Sequence, residues 1–179
     1  MRRFLLAAPL LLIACTATPS LNDPALTDQD FDLERFFDGR VEAHGMFQDV
    51  FGTARRQFTV TINGDWDGKT LRLVEDFVYE DGATERRIWT LVKTGDNTWS
   101  GTAPGVIGTA SGIEQGDRFN WKYTIDLPVP SADGPTETMR VDFDDWMWLQ
   151  DDTHVFNRAY VSKYGVTIGE ALISFRRLP

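Results

Sequence analysis

Three charged side chains in this chain stand where apolar ones are expected, and they are its best candidates for chemistry. Around RVDFDDWMWL (140–149), Met139, Val141, Phe143, Asp145, Met147 and Leu149 share one parity, so Asp145 is the single charge on an apolar face. Asp142 and Asp144 fall on the other face with Arg140. In LRLVEDFVY (71–79), Leu71, Leu73, Glu75, Phe77 and Tyr79 share a face, and Glu75 is its only charge. A cation is offered by HVFNRAYV (154–161), where Arg158 alternates with its neighbours beside Phe156 and Tyr160 and opposite Val155, Asn157, Ala159 and Val161. Arg86 and Arg87, in RRIW, are a further basic source. Charge buried without a partner is expensive, so these residues belong together in one of three ways. They form an ion-pair network that fixes strand register, a polar cluster that grips the head group of a ligand, or a general acid/base pair. The sequence leaves all three open and assigns no catalytic residue.

Other chemistries find no residues to carry them. His44 and His154 are far apart and lack metal-ligand spacing, so no metal site is expected. There is no G-x-S-x-G elbow. Asp65, Asp67 and Gly68 make a hairpin turn and lack the downstream ligands of a calcium loop. The glycine-rich stretch GTAPGVIGTASG (101–112) has no phosphate-binding lysine or following helix, and reads as a sharp bend, a bulge or a close backbone approach. No cofactor is implied. The chain carries 18 basic and 27 acidic residues, a net charge of -9, which disfavours nucleic acid and anionic lipid head groups as partners.

The elements that must position the charged residues are strands. Phe58, Val60 and Ile62 alternate with polar residues, as do Phe119, Trp121, Tyr123, Ile125 and Leu127. Turn chemistry separates such runs at NGDWDGK (63–69), EDGAT (80–84), TGDN (94–97), EQGD (114–117) and PSADGP (130–135). Nine or ten strands follow between residues 40 and 177, joined by short hairpins. The fold class is all-β, an antiparallel up-and-down barrel of about 8–10 strands of lipocalin-like kind, with a two-sheet β-sandwich as the alternative. FDLERFF (31–37) suits a short amphipathic turn that plugs one barrel end. One domain, residues 31–179, is expected.

At the N-terminus, two arginines precede an eleven-residue apolar run from Phe4 to Ala14, too short to cross a membrane as a helix. This is the pattern of a secretory signal over residues 1–14. Its end, Leu12-Ile13-Ala14-Cys15, resembles the lipobox of bacterial lipoproteins, which implies acylation of Cys15, the only cysteine, and a membrane anchor. Thr16 after the cysteine, by analogy with enterobacterial sorting, implies the periplasmic face of the outer membrane. Residues 15–30, polar with Pro19 and Pro24, read as a tether, or as a strap ordered against the domain.

Several motifs together resemble the DUF3833 family of proteobacterial lipoproteins: F-x-G at 37–39, G-x-F-x-D-x-F-G at 45–52, L-x-E-x-F-x-Y-x-D-G at 73–82, G-T-A-x-x-V-I-G-T-A-x-G at 101–112, D-D-W at 144–146 and N-R at 157–158. The resemblance spans nearly the whole mature chain and implies a cell-envelope location and a small barrel, but no established activity. Association of such families with fatty-acid modification favours an acyl ligand. The expected function is binding of a small apolar molecule, such as a fatty acyl chain or modified lipid. Phe77, Tyr79, Trp121, Tyr123, Phe143 and Met147 would line the interior, with Glu75, Asp145 and Arg158 at the polar end. Two alternatives stand beside it. One is a filled barrel acting as an interaction module through exposed aromatics such as Trp146 and Trp148; the other is an enzyme of envelope fatty-acid modification.

Overall fold

A computed structural model of the protein describes residues 18–129 and 137–179. The expected signal sequence and Cys15 lie outside the described residues. Ten strands follow one another: β1 Gly39–Asp49, β2 Ala54–Trp66, β3 Thr70–Tyr79, β4 Thr84–Gly95, β5 Thr98–Thr102, β6 Val106–Gln115, β7 Arg118–Val129, β8 Glu137–Asp151, β9 His154–Lys163 and β10 Val166–Arg177. Each pairs with the next, and β10 pairs antiparallel with β1 from Val41↔Arg177 to Asp49↔Gly169. Closure leaves no sheet edge, so the architecture is the barrel and not the sandwich.

Parity decides what faces inward. On β3, Leu71 and Leu73 are buried, with Glu75 continuing the same face; on β8, Val141, Asp145 and Leu149 are buried on one face. The β8 ladder is regular through Asp144 and Asp145 and slips only between Leu149 and Asp151, so the alternation reads true across the aspartates.

The glycine-rich stretch contains both a break and close approaches. β6 loses register on β7 between Ile107 and Ser111. A Cβ on Gly101 would lie 2.7 Å from the Trp121 indole, and one on Gly112 would lie 2.5 Å from the rings of Phe119 and Trp121. Glycine there lets two large aromatics lie flat against the inner wall.

One end of the barrel is stoppered. A single helical turn, α1 Leu33–Phe37, buries Leu33, Phe36 and Phe37, and Phe31 just before it is also buried. Phe31 meets Phe119 edge-on at 6.3 Å between centroids, and Phe37 meets Phe175 at 5.7 Å. Full burial of such side chains is worth roughly 1.5–3 kcal/mol each, ample to hold a turn too short to be stable alone. The turn is pinned as well as packed. Phe31 N–H donates to the Gly116 carbonyl at 2.7 Å, and Leu33 N–H donates to Glu114 Oε1 at 2.8 Å.

Before the plug, the stretch expected to be a tether is held to the barrel wall. Asp117 Oδ2 accepts the Leu26 N–H at 2.6 Å, while Arg118 donates to the carbonyls of Ser20 (3.1 Å) and Pro24 (2.8 Å). Asp117 and Arg118 pair at 2.9 Å and are both buried. Pro19–Asn22 lie over Asn120, Lys122 and Trp146. Trp146, expected as an exposed aromatic, is therefore buried although it points outward, and Trp148 is half-buried.

Candidate functional site

Above the plug the barrel is not filled. A cavity of about 360 Å³ occupies its interior, within the range of small-molecule sites. Its wall is mostly aliphatic and aromatic. Tyr123 stacks on Phe143 at 4.9 Å and meets Trp89 edge-on at 5.1 Å, while Trp121 lies between Trp89 and Phe119. All six apolar residues expected to line the interior, Phe77, Tyr79, Trp121, Tyr123, Phe143 and Met147, do so.

A polar group interrupts this wall. Asp145, from β8, is 8% exposed. Its Oδ1 accepts from Asn157 Nδ2 at 2.8 Å, and its Oδ2 accepts from the Tyr123 hydroxyl at 3.3 Å. Glu75 comes from β3, with its remaining surface on the cavity, and stands directly opposite Arg87 of β4 in the ladder. Arg87 in turn donates to Glu85 Oε1 at 2.7 Å, and Glu85 Oε2 accepts the Tyr79 hydroxyl at 2.8 Å. Arg56 covers the Tyr79 ring at 3.5 Å. Among the described residues, no donor makes a hydrogen bond to Glu75.

Enclosure shifts the protonation of these groups in one direction. Burial pushes Glu75 up to about 7, against the pull of Arg87 and reinforced by Asp145. Burial likewise raises Asp145 to about 6, although Asn157 and Tyr123 hydrogen-bond its charged form. The Tyr123 hydroxyl is raised well above its ordinary value by burial and by Asp145. Around Arg87, burial works against the cation, but Glu75, Tyr123 and Glu85 outweigh it and keep the guanidinium charged. Glu85 is also pushed up by burial, yet Arg87 and the Tyr79 hydroxyl hold it below its usual range. Two carboxylates each raised toward neutral pH, with one fixed cation beside them, can bind a polar group or exchange a proton with it.

Arg158 is not part of this cluster. It points away from the interior and donates to Glu170 Oε2 at 2.6 Å on the outer surface, with its guanidinium 4.7 Å from the Tyr160 ring. The inward residues of β9 are Val155, Asn157, Ala159 and Val161. Phe156 and Tyr160 make the outer face of β9 look as apolar as the inner one, so parity alone gave the wrong side. The cation of the site is Arg87, named in the sequence as a further source. Asn157, Glu85 and Arg56 were missed. Only the adjacency of Asn157 to Val155 and Ala159 carried a signal for it.

The family description "Protein of unknown function (DUF3833)" matches residues 9–177. The chain belongs to the DUF3833 family. A comparison with curated proteins gave no match. Among solved structures, the S-type phycobiliprotein lyase from Guillardia theta superposes on this DUF3833 barrel with a TM-score of 0.57 at 10% identity, covering 83% of this chain and 94% of that one. EF1p2_mFAP2b bound to DFHBI has a TM-score of 0.43 at 9% identity, over 80% and 95% of the two chains. The redesigned β-barrel mFAP1 bound to DFHBI has a TM-score of 0.41 at 11% identity, over 80% and 96%. At such identities the likeness concerns the fold alone.

Proposed function

We propose that this DUF3833 protein is a binding protein, not an enzyme, whose barrel holds one small apolar ligand of acyl-chain or modified-lipid type. The observation that carries this reading is the interior cavity of about 360 Å³ with an aromatic and aliphatic wall. A barrel evolved only as an interaction module has no reason to leave such a void, because a void forfeits packing energy at every wall atom. Glu75, Arg87, Asp145 and Asn157 meet the ligand's polar end. In this reading Cys15 carries the acyl anchor, the protein stands on the periplasmic face of the outer membrane, and the ligand comes from the adjacent lipid. The exposed loop residues Phe51 and Tyr164, at the end of the barrel opposite the plug, favour contact with an apolar surface.

Native mass spectrometry of the full chain, released gently from envelope membranes, tests both parts. The expected spectrum shows a polypeptide mass increased by acyl groups at Cys15, together with a non-covalent species a few hundred daltons heavier that extracts into organic solvent. A polypeptide that stays free of bound mass after soaking with long-chain lipids would contradict the binding role. An unmodified cysteine would contradict the anchor alone.

A further inference from the structure

The same cavity constrains the chemistry of the ligand's polar end, and this inference rests on the binding role. Three observations bear on it. First, Glu75 lines the cavity as a carboxylate with no hydrogen-bond donor from the described residues. Second, Asn157 is 4% exposed and lines the cavity, with both its N–H groups used, one to Asp145 Oδ1 at 2.8 Å and one to the Trp146 carbonyl at 3.1 Å. Because both of those partners are acceptors, the amide can take only this orientation, and its Oδ1 is left buried without a partner. A buried acceptor without a donor is costly, of the order of 1–3 kcal/mol. Third, the enclosure carries three carboxylates, Glu75, Glu85 and Asp145, against two guanidiniums, Arg56 and Arg87. Both guanidiniums are engaged: Arg87 donates to Glu85, and Arg56 covers Tyr79 and pairs with Asp81 at 3.4 Å.

A fatty-acid carboxylate suits none of this. It would bring a fourth negative group to a place where three carboxylates already outnumber two guanidiniums, each of them paired with a carboxylate. A cationic amine would satisfy Glu75 but would stand beside Arg87. An uncharged hydroxyl supplies what is missing, one donor for Glu75, and its oxygen can accept in turn from the Glu75 carboxyl when that is protonated. We propose that the polar end of the DUF3833 cavity selects an apolar ligand bearing an uncharged hydroxyl and rejects a carboxylate.

The test compares dodecanol, dodecanoate and methyl dodecanoate, which share a chain and differ in donors and charge. Each is titrated at pH 8 against the purified full chain in nanodiscs, with empty nanodiscs as the blank. Dodecanol is expected to bind at least tenfold tighter than dodecanoate and several-fold tighter than the ester. In Glu75→Gln, which removes the charge and retains an acceptor, the alcohol-to-acid preference is expected to shrink several-fold. Dodecanoate binding as tightly as dodecanol would overturn the hydroxyl assignment and leave the binding role standing. So would a preference that Glu75→Gln leaves unchanged. Failure of all three compounds to bind would overturn the binding role itself, and the inference with it.

Discussion

Replacing Glu75 by Gln should make the unliganded protein more stable at alkaline pH, because a carboxylate held for a ligand is a burden to the fold. Glu75 titrates at an ordinary 4.5 when exposed and at about 7 inside the barrel, where burial is the leading cause. The sign follows from the raised value. Below pH 4.5 both folded and unfolded chains carry the proton and the shift costs nothing. As pH rises from 4.5 to 7 the unfolded chain ionises first, so stability falls, and above 7 the loss is complete. The difference corresponds to roughly 3 kcal/mol above pH 8 and less than about 1 kcal/mol at pH 5. In a domain of this size roughly 3 kcal/mol moves the midpoint by about 6–12 °C. Glutamine keeps the size of the side chain and loses the charge. Thermal and urea unfolding of wild type and Glu75→Gln at pH 5 and pH 8.5 therefore give a clear contrast: near-coincident curves at pH 5 and a more stable variant at pH 8.5. If the variant is the less stable protein at pH 8.5, the ionised Glu75–Arg87 pair holds the barrel together and the group is structural.

Two further outcomes concern the parts around the cavity. Arg118→Met leaves Asp117 buried beside the strap without its cation and removes the donors to Ser20 and Pro24, so we expect a loss of about 3 kcal/mol in urea unfolding and faster proteolytic cleavage between residues 18 and 30. A Cβ added to Gly64 would lie 1.8 Å from the Phe37 carbonyl oxygen, so Gly64→Ala should displace the plug; a midpoint lowered by at least about 4 °C checks this, and an unchanged midpoint would mean the plug does not bear on the wall there.

Much of this fold was legible because β-strand periodicity, hairpin chemistry and strand count are local properties. The runs around Phe58, Leu71, Phe119 and Val141 alternate cleanly, and the turns between them are rich in Gly, Asp and Asn, so the barrel could be read in order. Glu75 and Asp145 were legible for the same reason, as interruptions of a face that was apolar everywhere else. Arg158 misled because both faces of β9 carry apolar residues, with the larger ones, Phe156 and Tyr160, on the outside, and the choice between the faces is made by pairing with β8 and β10. Trp146 misled because its cover comes from the strap, more than 120 positions earlier in the chain, held by an Asp117–Arg118 pair that sequence shows only as two adjacent charges. Whether the interior was open could not be read at all. Openness depends on how ten inner faces meet, and glycines at 101 and 112 turn out to press Trp121 against the wall and leave the centre free.

Tryptophan quenching by a brominated alkyl alcohol tests the central claim most directly, since bromine quenches an indole only on close approach and Trp89 and Trp121 both line the cavity. Titrated into the full chain in nanodiscs, brominated undecanol should quench saturably at one equivalent, and excess dodecanol should reverse it. Quenching no different from that of a variant with Ala159 enlarged to Phe, which narrows the cavity beside Asp145, would place the probe elsewhere and contradict the account.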